Sequence, residues 1–313
     1  MSTNAQSIIE APADDRTDLV GMSRAELAVL FEKLGLPQFR VKQVWHWIYH
    51  HGCRDFAEMT TISRDMQRQM AELFVISRPG IATEQTSSDR TRKWLMKFAD
   101  GKMAEAVHIP EYDRGAVCMS AQVGCTLTCK FCHTGTQRMV RNLTPGEIVG
   151  QFMLARDSYG EWPSSKEPRQ LTNIVMMGMG EPLYNYDNIV QALRIIMDEE
   201  GINVSRRRIT LSTAGVVPMI PKVGADLGVQ LAISLHAVND DLRDEIVPIN
   251  RKYPIAELLD ACRNYPTAKN SRRPMNARPT TTWRCSPISS TGRAIRRRSA
   301  SRAAAISWPP AGS

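Results

Sequence analysis

The stretch 116-AVCMSAQVGCTLTCKFC-132 decides how this chain is read. It opens as a short apolar run of strand character and ends in three cysteines, Cys125, Cys129 and Cys132, spaced C-x3-C-x2-C. A cysteine cluster in a reducing compartment points to metal binding or catalysis before disulfides. A structural zinc site takes four tetrahedral ligands. His133 is the nearest fourth donor, but adjacent Cys132 and His133 do not easily converge on one ion. The second close pair of a zinc ribbon is missing from the sequence. Three thiolates in one tight loop suit a 4Fe–4S cluster better. The protein then holds three irons and leaves one open for a small ligand. Packing as small hydrophobes is a poor account of cysteines at this spacing.

Outward from the loop the chain alternates. Residues 116–122, 173–178 (NIVMMG), 207–213 (RRITLST) and 229–237 (VQLAISLHA) read as strands. Between and after them, Thr144, Pro145 and Glu147 open a helix as N-cap, first-turn proline and capping-box acid. Residues 188–200, 216–228 and 255–265 also read as helices. Four strand–helix units in a row predict an α/β fold with a parallel sheet or barrel. Before them, RKWLMKF-ADG-KMAEAVHI at 92–110 predicts a hairpin turning at Ala99-Asp100-Gly101. Residues 23–74 show helical spacing, with a Ser23–Glu26 capping box and a stop at Gly35.

The predicted organisation is a polar arm (1–20), a small helical accessory domain (21–91), the hairpin connector (92–110), an α/β core (111–265) and a basic tail (266–313). In the accessory domain Arg40, Lys42 and Gln43 flank Trp45 and Trp47. Two readings stand there: an RNA-facing surface, or core tryptophans beside a solvated charged face.

The net charge of +8 is uneven. Ten of the 40 basic residues and no acid lie in the last fifty positions, leaving 30 basic against 32 acidic groups elsewhere. Bulk charge is thus weak evidence that the folded part binds nucleic acid. The tail has no periodicity and is rich in Arg, Ser, Pro and Ala, so it cannot build a core. It reads either as translation in a shifted frame or as a basic RNA-binding tail, and we expect the former. No apolar leader or membrane-length segment is read, so a cytoplasmic protein is expected.

C-x3-C-x2-C with an aromatic before the last cysteine resembles the radical S-adenosylmethionine (SAM) enzymes. That resemblance implies a full or partial (β/α) barrel, incomplete in this chain, with a 4Fe–4S cluster on Cys125, Cys129 and Cys132. Its open iron chelates SAM, whose reductive cleavage gives a 5′-deoxyadenosyl radical. GMGEP (178–182) is similar to the motif that binds the SAM amino group, which carries Gly180 and Glu181 over. Ser212 ends the third strand, and Ser234, Leu235 and His236 end the fourth, where they can meet the SAM carboxylate and ribose.

Longer strings narrow the resemblance. MSAQVGCTLTCKFC, VMMGMGEPL, LSTAGVVP, AISLHAVND and RDEIVPIN are similar to the bacterial dual-specificity RNA adenine-C2 methyltransferases, from about residue 20 to about 265. The resemblance implies methylation of one adenosine in 23S rRNA and one beside the tRNA anticodon. One SAM methylates a protein cysteine; the radical made from a second SAM activates that methyl, and the carbon adds to C2. Cys118 matches the cysteine that resolves the adduct by forming a disulfide, and Glu105 the acceptor of the C2 proton. A flavodoxin-type electron donor and a monomeric state are implied too. The methyl-carrying cysteine lies near the family's C-terminus, after two further strands. Cys285, in TTWRCSP, has a different context, so we expect this chain to lack the methyl carrier, to leave its sheet unclosed and to be inactive as written. The competing readings are a non-catalytic SAM- or RNA-binding fragment and a zinc-binding RNA-interaction module.

Overall fold

The structure, a computed structural model, describes residues 16–111 and 114–266. They fall within one compact unit, Met1–Ser271, while a second, Arg272–Ser313, lies outside the described residues, as do most of the polar arm and of the basic tail with Cys285.

The N-terminal part builds its own core. β1 (Thr17–Asp18) pairs in parallel with β2 (Phe74–Val75) and so closes the segment between them. That segment holds α1 (Arg24–Lys33), α2 (Phe39–Tyr49) and α3 (Arg64–Leu73). The Ser23 hydroxyl and the Glu26 carboxylate cap α1 reciprocally, as the sequence predicts. Gly35 follows α1 at φ 69°, the left-handed conformation that stops a helix. Leu27, Phe31, Val44, Ile48 and Met70 fill the space between the helices. Trp45 is core: its indole N–H donates to Asp198, and Lys42 pairs with Glu200, so both face the rest of the chain.

The central sheet has seven strands in the order β11-β10-β9-β6-β5-β4-β3. In chain order they are β3 (Gly80–Thr86), β4 (Arg92–Lys97), β5 (Met103–Pro110) and β6 (Gly115–Cys118), then β9 (Asn173–Met176), β10 (Ile209–Thr213) and β11 (Gln230–Ile233). β6, β9, β10 and β11 run parallel; β3, β4 and β5 extend the sheet antiparallel. The hairpin turn is the expected one, with Gly101 at φ 77° and its N–H on the Phe98 carbonyl. Strand β3 falls in the stretch read as helical. Its partner is known only once β4 is placed, and its polar sequence, GIATEQT, carries little strand signal by itself. The sheet is open and mixed among the described residues, and β11 is its edge on the parallel side.

Between β6 and β9 lie a small clip, β7 (Gln122–Val123) against β8 (Arg141–Asn142), and α4 (Pro145–Tyr159). Thr144, Pro145 and Glu147 open α4 as predicted. Helices α5 (Tyr186–Met197), α6 (Ile220–Asp226), α7 (Asp240–Ile246) and α8 (Ile255–Arg263) complete the order. No helix among the described residues is long and apolar enough to cross a membrane.

The register separates the two faces of the sheet. Trp94, Ala106, Val117, Ile174, Ile209 and Leu211 lie on one face, none more than 1% exposed. They share a core with Phe152 and Met153 of α4 and Leu193 and Ile196 of α5. On the other face Lys93 stands opposite Val107, Val107 opposite Cys118, Cys118 opposite Val175, and Val175 opposite Thr210. That row is only half-buried.

Candidate active site

The predicted residues gather at the C-terminal ends of the parallel strands and on the half-buried face. Strand β6 ends at Cys118, and the chain then turns through Met119–Gln122 into the cysteine loop. The Cys132 N–H donates to the Cys129 carbonyl at 3.2 Å, which folds the loop back on itself. The Leu127 N–H donates to Cys125 Sγ at 3.3 Å. Burial pushes the Cys129 thiol up to about 11; neighbouring Cys125, Cys132 and Glu181 act in the same sense and Arg243 against it. Burial also raises Cys125. Thiols held so give up protons only to a strongly bound cationic group.

Gln122 couples this loop to the next. Its side chain is wholly buried, and its Oε1 accepts from the Thr126 N–H, the Thr126 hydroxyl and the Glu181 N–H. Gly180 sits at φ 90°, where an added Cβ would stand 2.5 Å from the Gln122 Cβ. Only glycine gives both that conformation and that approach. Glu181 is buried and accepts from the Leu183 N–H at 3.1 Å and the Ala214 N–H at 2.8 Å. Burial raises its carboxyl above the ordinary range, and these bonds with that from Thr213 oppose the rise. It therefore joins the end of β9 to the end of β10.

The next two strand ends meet directly. Ser212 Oγ and Ser234 Oγ stand 3.3 Å apart, and the Ser234 N–H donates to the Thr213 carbonyl. Leu235 offers its carbonyl to Arg243 Nε at 3.0 Å. The buried Arg243 guanidinium also donates to the Ala214 carbonyl at 2.5 Å and to Asn250 at 2.6 Å, clamping the ends of β10 and β11. His236 adopts φ 60° and places its ring 4.0 Å from that of Phe131, in the cysteine loop. Burial, with Arg243 adding, holds its imidazole below the usual value. The loop is tied to α7 as well, by the Lys130 N–H on the Ile246 carbonyl and by Lys130 with Glu245 at 3.0 Å.

Glu105 and Cys118 lie on the half-buried face as diagonal neighbours on β5 and β6, about 7–8 Å apart by strand geometry. Glu105 pairs with Lys93 at 2.5 Å. Burial pushes the Cys118 thiol up to about 11. Residues two apart on a strand share a face, so the register puts Ser212 on this face too. All six described cysteines are free thiols, including Cys53 and Cys262 away from the site.

Gln122 and Arg243 escaped the sequence reading. Gln122 lies within the SAQVG string, but nothing in spacing shows that one amide serves two loops. Arg243 resembles any surface arginine on a short acidic helix until its burial is seen. Asn185 is similar: its amide donates to Ala121 and Leu143 at 2.8 Å each, fixing both margins of the cysteine segment.

The donor set fits the expected group. Three thiols come from one loop, with no carboxylate or imidazole bonded among them. Among the described residues, no three His, Cys, Asp or Glu side chains converge as ligands of a single metal ion. A cluster that takes one cysteine at each of three irons asks for no such convergence.

Known proteins share these segments. The family model described as the ribosomal RNA large subunit methyltransferase N-terminal domain matches residues 17–76, and the radical SAM superfamily model matches 119–271. A protein of Gluconobacter oxydans named dual-specificity RNA methyltransferase RlmN is 65% identical over 278 residues, covering 86% of this chain and 68% of that protein. A like-named protein of Rhodospirillum rubrum is 63% identical over 268 residues, covering 85% of this chain and 62% of its own length. The chain thus spans roughly two thirds of these curated relatives. The crystal structure of a radical SAM methyltransferase from Sphaerobacter thermophilus superposes with a TM-score of 0.73 at 41% identity, covering 80% of this chain and 72% of that one. With cysteine loop, strand ends and both family segments in agreement, this chain belongs to the RlmN family of radical SAM methyltransferases.

Proposed function

We propose that this chain carries the radical SAM core of an RNA adenine-C2 methyltransferase. Its targets on this reading are one adenosine of 23S rRNA and one beside the tRNA anticodon. The observation that carries the reading is the meeting of four strand ends at one place. There the cysteine loop, Gly180–Glu181, the Ser212–Ser234 pair and His236 adjoin a face bearing Glu105 and Cys118.

Cys125, Cys129 and Cys132 would hold a 4Fe–4S cluster, and Glu181, Ser212, Ser234 and the Leu235–His236 backbone would surround SAM. Cluster and SAM together supply a 5′-deoxyadenosyl radical when bound. The chain's own residues do the rest. Gln122 sets the distance between the cysteine loop and Glu181. Arg243 keeps β10 and β11 from splaying where SAM would lie. Glu105 Oε accepts the C2 proton of the adenine, and Lys93 holds that carboxylate in place. Cys118 would resolve the adduct by giving up its thiol proton and forming a disulfide with the methyl-carrying cysteine, as the bond from that cysteine to the transferred carbon breaks and the carbon keeps the electron pair and takes a proton to become the methyl group. None of the six described thiols is assigned as that second cysteine.

The segment 21–91 serves on this reading as the RNA-holding accessory unit and 111–265 as the catalytic core. A flavodoxin-type donor supplies the electron to a monomer in the cytoplasm. The test is anaerobic reconstitution of the 313-residue chain with iron, sulfide, SAM and reductant, an rRNA fragment and a tRNA, and a search for 2-methyladenosine by mass spectrometry. SAM cleavage without product is the result expected of a radical core that lacks the methyl carrier. Product would mean that this chain supplies that carrier after all, and the absence of both SAM cleavage and product from a folded chain would sink the reading.

A further inference from the structure

The opposite end of the sheet carries a run of arginines that the chemistry does not use. Arg90 lies at the tip of the β3–β4 hairpin, and Arg92 follows it on β4. Arg169 lies in the loop before β9, and Arg206, Arg207 and Arg208 form a single turn just before β10. All belong to the edge where the parallel strands begin. Strands of four and five residues put that edge roughly 15 Å from the site, at about 3.3 Å per residue.

Two cavities make the edge continuous. One, of about 490 Å³, is lined by Arg90, Arg92, Tyr159 and Arg169. The next, of about 230 Å³, is lined by Arg169, Thr172, Asn203, Ser205 and Arg208. Arg169 is the wall they share. Arg92 is paired with Glu84, and Arg169 with Glu167. The three arginines of the turn are exposed and form no ion pair among the described residues, and neither does Arg90. The turn is held through its backbone: Gln230 donates to the Arg207 carbonyl at 2.6 Å. Of its side chains, Arg206 lies beside Gly228.

This concentration stands out because residues 1–263 carry 30 basic against 32 acidic groups. A chain with no basic excess there nevertheless places the unpaired Arg90 and Arg208 in the walls of one groove, among Glu111 and Glu167, with Arg206 and Arg207 exposed beside it on the same turn. Guanidinium forks match phosphate oxygens, and a row of them fits a phosphodiester backbone rather than a single anion.

We propose that this groove binds the phosphate backbone of the RNA away from the target adenosine, as a second RNA contact at the far end of the sheet. This rests on the reading of the chain as an RNA-modifying enzyme. The contact carries no sequence information, since it meets phosphates alone. It adds affinity and orients the RNA, while the strand ends on the other side select the base.

Removing one arginine from a phosphate should lower the slope of log Kd against log salt by about 1. The triple variant Arg206→Gln/Arg207→Gln/Arg208→Gln in the full chain should therefore lower the slope by about 3 if all three arginines bind phosphate. The drop should be the same for a tRNA, an rRNA stem-loop and an unrelated duplex. The control triple Lys222→Gln/Arg251→Gln/Arg263→Gln, also exposed, removes equal charge elsewhere. A thermal melt matching the parent's shows that both variants fold, and Arg90→Gln/Arg169→Gln repeats the test at the far cavity and at the wall that the two cavities share. An unchanged slope in both groove variants, with the parent binding RNA, overturns the groove and leaves the enzymatic reading intact. Equal drops in groove and control variants also overturn it. A parent chain that binds no RNA overturns both.

Discussion

The two faces of the central sheet are made from alternate residues of the same strands, yet they follow different rules. On one, Trp94, Val117, Ile174 and Leu211 are sealed beneath α4 and α5. On the other, Lys93, Glu105, Cys118 and Thr210 stay half-open. A strand such as Asn173–Met176 therefore serves stability with Ile174 and Met176 and faces the site with Val175. The alternation of a strand is enough to separate these duties. Covering both faces equally would add apolar burial and remove the room a nucleotide needs.

The largest effect expected belongs to the site. Cys129→Ala should reduce iron incorporation on anaerobic reconstitution to background and end SAM cleavage with it; normal iron content would remove the cysteine loop from the account. Cys118→Ala, by contrast, should leave iron content unchanged, because it lies on the open face and outside the loop. In a chain that also supplies the methyl carrier, it should accumulate RNA covalently bound to protein.

The comparison of faces sharpens with adjacent substitutions. Ile174→Ala removes a fully buried side chain and should cost about 2–5 kcal/mol in urea unfolding. Val175→Ala, one residue on, should cost about 1 kcal/mol or less. Equal losses would mean that the second face is as tightly packed as the first. The cap of α4 ranks below the core substitution too: Thr144→Ala frees the Glu147 N–H and should cost about 1 kcal/mol.

The smallest effect concerns pH. Burial first, then His46 and His51, holds the His50 imidazole below its usual 6.5. The unfolded ring takes up a proton more readily, so acidification below that value favours unfolding until the folded ring also protonates. His50→Gln should therefore flatten the decline in melting temperature between neutral pH and about pH 5. An unchanged decline would assign it to other groups.

Much of this was legible in the sequence, for physical reasons. Caps are local, so Ser23–Glu26 and Thr144–Glu147 announce their helices. Three cysteines in one loop need no partner from afar to be noticed. The parallel strands were visible as short apolar runs that end in small and polar residues. What stayed hidden depends on neighbours distant in sequence. Strand β3 is defined by pairing with β4, and helix α7 has only seven residues, too few to show a period. Gln122 and Arg243 matter through bonds to residues 59 and 29 positions away. No local pattern marks a glutamine or an arginine for such a role.

The most direct test of the central claim compares the parent chain with Cys125→Ala, Cys129→Ala and Cys132→Ala after identical anaerobic reconstitution. Iron, sulfide and 5′-deoxyadenosine would be measured on each. The account predicts a 4Fe–4S load and reductant-dependent 5′-deoxyadenosine from the parent, and neither from any single variant. A parent that folds but takes up no iron–sulfur cluster, or a variant that cleaves SAM as the parent does, would contradict it.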